Sequence, residues 1–355
     1  MNDTLQLPSD HVNGKNMDGK EITLARSRPR QLELFQSFLP DDQDKYSNTI
    51  ELYDAIPKYF PVKHMGARRI HGTYLPILTR TFEHKKEEYK LEIRPARLSH
   101  KDETEREYYP THREELVEDT LRRIACDRLN GVFLDDRAGV QFTLYELKKE
   151  LNARGHSLNL PDLVEALRIC NAASLTLLNK AGTAIVQSPI FPVLLIANKE
   201  EWLKSPKSTR CYVQFNPLVT ASINHISYRQ YDYLTYMSYK HRLSRWLHKR
   251  LSHNYTQASL TTLYKIRMST ILRDSGSYCN PRGNSNAREI EKALKELVQR
   301  DILMSYKEEV QRGPRNKIVD IVYTLYPSIN FTHEVKKANA RAKRALLPVD
   351  NQVPR

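Results

Sequence analysis

The sequence has few of the residues that would mark it as a disulfide-bonded, zinc-binding or membrane-spanning protein. Its 355 residues include four cysteines, which stand 41 to 68 residues apart and form no CxxC pair. This spacing indicates reduced, buried thiols and argues against a disulfide framework or a cysteine-based zinc site. No apolar run approaches the ~20 residues that a membrane-spanning helix needs. Residues 1–10 lack the apolar segment of a secretory signal, so we expect a cytoplasmic protein without membrane contact.

Catalytic and nucleotide-binding motifs are also missing. Residues 14–20 match the G-x-x-x-x-G-K part of a phosphate-binding loop, but Glu21 stands where Ser or Thr would hold Mg²⁺. The 12 histidines include no pair two residues apart, which excludes the His-hydrophobe-His metal site of rolling-circle nicking enzymes. Neither H-E-x-x-H nor G-x-S-x-G occurs. The sequence therefore predicts a binding protein with no catalytic residue, cofactor or metal, rather than an enzyme.

Positive charge is distributed unevenly along the chain. Residues 201–355 contain 27 Lys and Arg against 12 Asp and Glu, whereas residues 1–200 have a net charge of −1. The whole chain has a net charge of +14, so the C-terminal part contains the entire surplus. This asymmetry favours a nucleic acid over a membrane surface as the partner, because no wide apolar helix face accompanies the cations.

The N-terminal part shows the element order of a winged helix. Residues 1–45 have the composition of a disordered tail, and residues 46–110 predict a few short strands. Apolar periodicity predicts a helix over residues 114–130. Thr143 and Glu146 form a capping box at the start of a second helix, and Pro161 lies in the first turn of a third. A β-hairpin is predicted from two further segments, residues 174–179 and 184–187.

The same order recurs in the C-terminal part. Helices are predicted over residues 227–253, 263–274 and 286–300, followed by a hairpin over 302–309 and 317–326. Asn286 is the expected N-cap of the third helix. We therefore predict an α+β chain of tandem winged-helix domains. The predicted divisions are a disordered tail (1–45), an N-terminal winged-helix domain with preceding strands (46–220), a C-terminal winged-helix DNA-binding domain (221–330) and a basic tail (331–355).

The second unit contains the side chains expected of a surface that binds duplex DNA. Arg and Asn match guanine and adenine edges, and the start of the helix expected in the major groove has Arg282, Asn284, Asn286 and Arg288. Lys292 continues that helix. The hairpin turn has three cations suited to phosphate contacts, namely Arg312, Arg315 and Lys317. The first helix of the unit presents a stripe expected to follow a phosphate backbone, namely Arg242, Arg245 and Lys249.

The first unit lacks this set of cations. Its corresponding helix begins with Asp162 and Glu165, and its hairpin offers only Lys180. Carboxylates facing phosphates would weaken binding, which favours a protein-contact or weak DNA-binding role for this copy. Tyrosines between residues 228 and 239 permit an alternative, base stacking on single strands, but their spacing favours half-buried packing. Tail cations either add phosphate contacts or remain solvated, namely Lys336, Lys337, Arg341, Lys343 and Arg344.

Several segments resemble bacterial plasmid replication initiator proteins of the iteron-binding Rep type. The resemblance spans about residues 53–344 and is best in the second unit. The matching segments are FNPLVTASI (215–223), YRQYDY (228–233), WLHKRLSH (246–253), STILRD (269–274), DIVYTLYP (320–327), Phe331 and VKKAN (335–339).

The resemblance implies a fold, partners and a function. Members of that family have two winged helices and bind repeated sites, called iterons, at a plasmid origin. It therefore implies opening of the origin, contact with the host initiator and replicative helicase, self-association through the N-terminal unit and repression of the protein's own gene. Other readings stay open: a transcriptional repressor of the same fold, a nucleic-acid enzyme such as a primase or nickase, and a phage or partition protein that bridges DNA and a partner.

Overall fold

The structure is a computed structural model that describes residues 13–15, 21–23, 45–61, 68–70, 74–100, 102–126, 130–196, 210–225, 228–277 and 283–345. The predicted tail, residues 1–45, lies outside these ranges apart from Lys45 and a short antiparallel pair of strands. That pair is β1 (Asn13–Lys15) and β2 (Glu21–Thr23).

The described residues up to Met237 form small antiparallel sheets with helices packed on them. The strands are β3 (Tyr46–Ile50), β4 (Arg68–Ile70), β5 (Leu78–His84), β6 (Glu87–Arg94), β7 (Ala96–Ser99), β8 (Glu105–Tyr108), β9 (Gly131–Leu134), β10 (Arg137–Phe142), β11 (Ser174–Asn179), β12 (Ala184–Pro189), β13 (Val193–Leu195), β14 (Cys211–Gln214) and β15 (Tyr228–Asp232). The helices are α1 (Glu51–Ala55), α2 (His112–Ile124), α3 (Leu144–Ala153), α4 (Leu160–Ala172), α5 (Pro217–Asn224) and α6 (Tyr233–Met237). The prediction of short strands over residues 46–110 is confirmed.

The described residues from Tyr239 onward form a second, simpler arrangement. Its helices are α7 (Arg242–Asn254), α8 (Met268–Ser275), α9 (Gly283–Gln299) and α10 (Ile329–Ala345). Its strands are β16 (Tyr264–Arg267), β17 (Leu303–Arg312) and β18 (Ile318–Pro327), with β18 in the middle of an antiparallel sheet.

The first winged helix consists of α2, α3, α4 and the hairpin β11–β12. Thr143 Oγ1 accepts from the Glu146 amide at 3.0 Å, while the Glu146 carboxylate accepts from the Thr143 amide at 2.7 Å, so the predicted capping box is confirmed. Pro161 lies in the first turn of α4, as predicted. Helix α2 ends at Ile124 rather than near residue 130, and the chain then forms the hairpin β9–β10, which apolar periodicity did not reveal.

The second winged helix consists of α7, α8, α9 and the hairpin β17–β18, with β16 pairing onto β18. The predicted continuous helix over residues 227–253 is wrong. Residues 228–232 form β15, which pairs with β3 (Tyr46–Ile50). Asp232 then caps the short helix α6 by accepting from the Thr235 amide. Strand pairing with a segment about 180 residues away outweighed local helix propensity.

Buried tyrosines occupy this segment. Tyr233, Tyr236 and Tyr239 are at most 1% exposed, and Tyr231 is 3% exposed. The packing interpretation of these residues is therefore confirmed, and rings buried in this way are not available to stack on bases.

The described residues contain two large hydrophobic cores, one in each unit. The first runs from Ile50 to Met237 and includes Leu121, Leu147 and Leu167. The second runs from Tyr239 to Val335. Helix α10 belongs to the second core through Phe331 and Val335, so the described part of the predicted basic tail is helical. The boundary between the two domains that the sequence predicts, between residues 220 and 221, stays a prediction.

Candidate nucleic-acid interface

The candidate interface of the second unit is assembled by close contacts between helix and wing. The backbone at Gly283, where α9 begins, approaches β18 so closely that a Cβ there would lie 2.8 Å from the carbonyl oxygen of Ile318. At the start of α8, the Ser269 amide and hydroxyl donate to Asp320 of β18 at 3.1 and 2.7 Å. The starts of α8 and α9 are therefore both fixed against β18 near the turn of the wing.

Helix α9 has one buried and one exposed face. Ile290, Ala293, Leu294 and Leu297 are fully buried in the second core. Residues on the opposite face are exposed at spacings of three or four, namely Asn284, Arg288, Lys292, Lys295 and Gln299. The exposed face therefore has the width and polarity of a helix that can enter a groove.

Ion pairs along this face are local and weak. Lys292 and Glu289 are 2.9 Å apart, and Lys295 and Glu291 are 2.6 Å apart, all four side chains being solvent-exposed. Water screens such exposed pairs, so they contribute little to stability. Arg288 forms no ion pair with any carboxylate of the described residues, so its guanidinium fork is available to a base edge.

The wing tip presents the predicted cations to solvent. Arg312, Arg315 and Lys317 are all exposed. Arg315 has a left-handed backbone (φ 56°), and the Arg312 guanidinium donates to the carbonyl oxygen of Asn316 at 3.1 Å. This contact closes the turn and leaves three positive charges at its end. Their role in holding phosphates stays a prediction.

The structure does not support two of the predicted base contacts, those of Asn286 and Arg282. Asn286 is not the N-cap, because α9 begins at Gly283, and it is only 5% exposed inside the helix. The prediction that Asn286 reads a base is therefore wrong, since its side chain faces the protein. Arg282 lies outside the described residues. Sequence reasoning also omitted Lys295, although its spacing from Arg288 and Lys292 on the same helix face would have identified it.

The predicted phosphate-binding stripe on α7 is wrong. Arg245 is 1% exposed, and its guanidinium donates to the Tyr239 carbonyl and contacts the His112 ring. Lys249 is 8% exposed and pairs with Asp119 and, at 3.7 Å, with Asp54. Arg242 pairs with Glu115 at 3.4 Å. All three cations therefore face the first unit instead of solvent.

The partners of this stripe lie on α1 and α2 of the first unit. We call the α7 cations and these carboxylates the seam, namely Asp54, Glu115, Asp119, Arg242, Arg245 and Lys249. Burial lowers the pKa of Lys249, but the nearby Asp119 and Asp54 carboxylates outweigh it and raise the pKa above its usual value. Burial likewise raises the pKa of Asp54, yet the Arg122 guanidinium and Lys249 hold it well below the usual range. Both side chains are therefore charged at neutral pH, and the seam is a buried ionic contact.

In the first unit, the helix that corresponds to α9 is α4, and its acidic residues already contact another part of the same unit. Arg113 of α2 pairs with Glu165 at 2.8 Å and lies 3.9 Å from Asp162. On another side of α4, Ile169 packs against β7 and β8 in a small buried cluster. Arg168 and Lys180 are exposed. Paired carboxylates and a covering sheet leave this helix less suited to a DNA groove than α9.

Comparisons with known proteins gave structural neighbours only. No protein-family model matches the sequence, and no curated protein matches it. A solved structure of domains 2 and 3 of RctB is 9% identical, with a TM-score of 0.45 over 79% of this chain and 97% of that one. A second structure of RctB domains 2–3 is 10% identical, with a TM-score of 0.45 over 81% of this chain and 99% of that one. The Pi initiator protein in complex with iteron DNA is 12% identical, with a TM-score of 0.41 over 60% of this chain and 91% of that one.

The described residues offer neither a membrane-spanning helix nor a group of metal ligands. None of the described helices combines the length and the apolar character needed to cross a bilayer. Across the same described residues, no three His, Cys, Asp or Glu side chains are grouped so that they could hold a metal ion.

Proposed function

We propose that this protein binds duplex DNA through its second winged helix and acts, without enzymatic activity, as an iteron-binding replication initiator. The observation that carries the DNA-binding part is the joint exposure of Arg288, Lys292 and Lys295 on α9 and of three cations at the wing tip. The close contact of Gly283 with Ile318 fixes helix and wing together, so both can meet one duplex. The initiator part rests on the resemblance of segments such as residues 246–253 and 320–327.

Each exposed residue has a proposed role. Asn284 and Arg288 contact base edges in the major groove. Lys292 and Lys295 continue along the same face toward the phosphates. The wing-tip residues Arg312, Arg315 and Lys317 hold the backbone, which positions the helix without reading sequence.

The seam adds a constraint that the charge distribution alone did not provide. Because Arg245 and Lys249 are buried against the first unit, the two winged helices are joined through a charged contact and do not hang freely on a linker. We propose that the first unit serves protein contacts, including self-association, and that the family's autorepression and its contacts with the host initiator and helicase apply here.

Footprinting and selection from random duplexes test the DNA-binding proposal. Full-length protein should protect a defined site, with an affinity that falls steeply with salt because phosphate contacts release counterions. Protein that leaves every duplex unprotected at low salt would refute it.

Autonomous replication separates the initiator from its rivals. A fragment containing the protected sites but no other origin should replicate when the gene is supplied in trans. Repression of a reporter without replication would identify a repressor instead. Cleavage or primer synthesis by the pure protein with Mg²⁺, nucleotides and supercoiled DNA would favour the enzyme reading.

A further inference from the structure

A cleft of about 750 Å³ opens between the two units beside the candidate interface. One wall is β5 of the first unit and the other is α8 of the second. Two cations, hydroxyl groups and apolar side chains line it, and its described lining contains no carboxylate. The lining includes Leu78, Thr79, Arg80, Thr81, Ser269 and Arg273.

Arg80 is the unusual residue of this cleft. Its guanidinium donates from Nη1 to the carbonyl oxygens of Pro57 (2.5 Å) and Tyr59 (2.9 Å). Burial, together with the nearby Arg242, lowers its pKa to about 9. No carboxylate of the described residues pairs with it. The neutral groups that compensate this half-buried cation are the two carbonyl dipoles and the Phe60 ring, which lies 5.8 Å from the guanidinium. They leave positive potential in the cleft, which an anion would relieve.

The opposite wall is held in place by bonds across the units. The Glu83 amide of β5 donates to Asp274 of α8 at 3.2 Å. Arg273 bridges Asp274 at 2.6 Å and Glu83 at 3.3 Å and remains 38% exposed at its side chain. Gly276 ends α8 with a left-handed backbone, φ 63°, and a Cβ there would collide with the Arg80 guanidinium. Arg80 therefore contacts the end of the first helix of the helix-turn-helix.

The cleft is adjacent to the DNA-binding elements. Ser269, which lines it, is bonded to Asp320 of β18, near the turn of the wing. Two residues before Asp320 in β18, Ile318 contacts the start of α9 at Gly283. A duplex lying on α9 and the wing thus passes near the mouth of the cleft, where a helix-turn-helix normally meets the sugar-phosphate backbone.

We propose that this cleft binds a phosphodiester group of the duplex, with Arg80 of the first unit and Arg273 of the second as its cationic contacts. The proposal rests on the proposed DNA-binding function and adds a contact from the first unit that the charge distribution did not predict. The near-neutral unit would then contribute to DNA binding through one strand, β5, and not through its own winged helix.

The test measures binding of a duplex of about three helical turns at several salt concentrations, using full-length Arg80→Ala and Thr81→Glu variants. Thr81 is exposed in β5, and a carboxylate there would compete with phosphate for the two cations without removing a packed side chain. Each variant should weaken binding to specific and random duplexes alike, by about 3- to 10-fold, and should reduce the salt slope by about 1. Arg80→Lys should bind nearly as the wild type does.

Controls separate this site from the rest of the interface. Thr261→Glu introduces the same charge at an exposed threonine outside the cleft and should leave the salt slope unchanged. If the wild type binds DNA but Thr81→Glu has the wild-type slope, the cleft proposal is wrong while the proposed function stands. If the wild type binds no duplex, the proposed function itself fails. If inorganic phosphate raises the melting temperature of the wild type but not of Arg80→Ala, while both have the same DNA salt slope, the cleft holds free phosphate and the backbone assignment is overturned.

Discussion

At the scale of single residues, Arg288 and Arg315 have the same charge but different proposed roles, one at a base edge and the other at the phosphate backbone. Replacing Arg288 with Ala should cost about 1–3 kcal/mol on the specific site and relax specificity at one base pair, because a forked base contact is lost. Replacing Arg315 with Ala should weaken binding to all sequences equally and reduce the salt slope by about 1. Titration of specific and random duplexes with each variant distinguishes the two roles.

Arg137 provides the matched control for both substitutions. It is an exposed arginine at the start of β10, directly after the turn of the β9–β10 hairpin of the first unit. Arg137→Ala removes the same charge and should leave specificity and salt slope unchanged. Equal behaviour of the Arg288 and Arg315 variants on specific and random DNA would show that the assignment of base and phosphate roles is mistaken.

At the scale of elements, the cations on the polar face of α7 form ion pairs with carboxylates of the first unit. Replacing Lys249 with Met leaves Asp119 and Asp54 with less compensation in a buried site, which should cost about 3–5 kcal/mol of folding free energy. The double variant Lys249→Met with Asp119→Asn should recover part of the loss. Urea unfolding measures each free energy. The Asp119→Asn single variant completes the double-mutant cycle, and the departure of the double variant from the sum of the two single variants gives the coupling.

The same variant distinguishes a structural from a DNA-binding role of α7. The exposed Lys240, just before α7, is the control, and Lys240→Met should change stability by less than about 0.5 kcal/mol. A Lys249→Met protein with wild-type stability and a reduced DNA salt slope would restore the phosphate-binding stripe that the sequence predicted.

How much the sequence could predict depends on whether the deciding interaction is local. The capping box at Thr143 and the hairpin β17–β18 follow from neighbouring residues, and both are present. Strand β15 depends on pairing with β3, far away in the chain, so residues 228–232 were predicted as helix. The periodicity of α7 correctly gave its apolar face, but only the tertiary structure shows that α2 covers its cationic face. The exposed α9 face and wing tip needed no such information.

At the scale of the whole molecule, the seam joins the two units through buried ion pairs, so each unit covers charged side chains of the other. In the second unit, one face of α9 and the tip of the wing are exposed to solvent, whereas the α7 cations lie against the first unit. The surplus charge of residues 201–355 is therefore divided: part of it joins the units, and the exposed cations of α9 and the wing tip are the part that the proposed function assigns to DNA. Net charge alone could not separate these uses, because it does not distinguish a buried lysine from an exposed one.

Two buried histidines of α7, His248 and His253, make the stability of the folded protein depend on pH. Burial lowers the pKa of His248 to about 4, with Asp232 and Lys249 as its charged neighbours. Burial lowers the pKa of His253 to about 3, although Asp54 opposes it, and Arg229, Arg122 and Lys249 lower it further. Both values lie below the ordinary 6.5, so the unfolded chain binds protons that the folded chain rejects. Stability should therefore fall as pH falls below about 6.5, with a limiting slope of about 1.4 kcal/mol per pH unit for each histidine.

Urea unfolding between pH 5 and 7.5 measures this effect together with those of His84, His112 and His156, whose pKa values burial also lowers. Carboxylates of the unfolded chain titrate mainly below that window, near pH 4. His253→Gln should remove up to about 1.4 kcal/mol per pH unit from the slope, since a glutamine gains no proton on unfolding. His225→Gln, at an exposed histidine after α5, should leave the slope as it is. Because His253 contacts Thr49 of β3 across the seam, acid should unfold both units in one transition, followed equally by near-UV and far-UV circular dichroism. Two separate transitions would mean that the seam does not couple the units. A His253→Gln protein with the full wild-type slope would mean that His253 is not a source of the pH dependence.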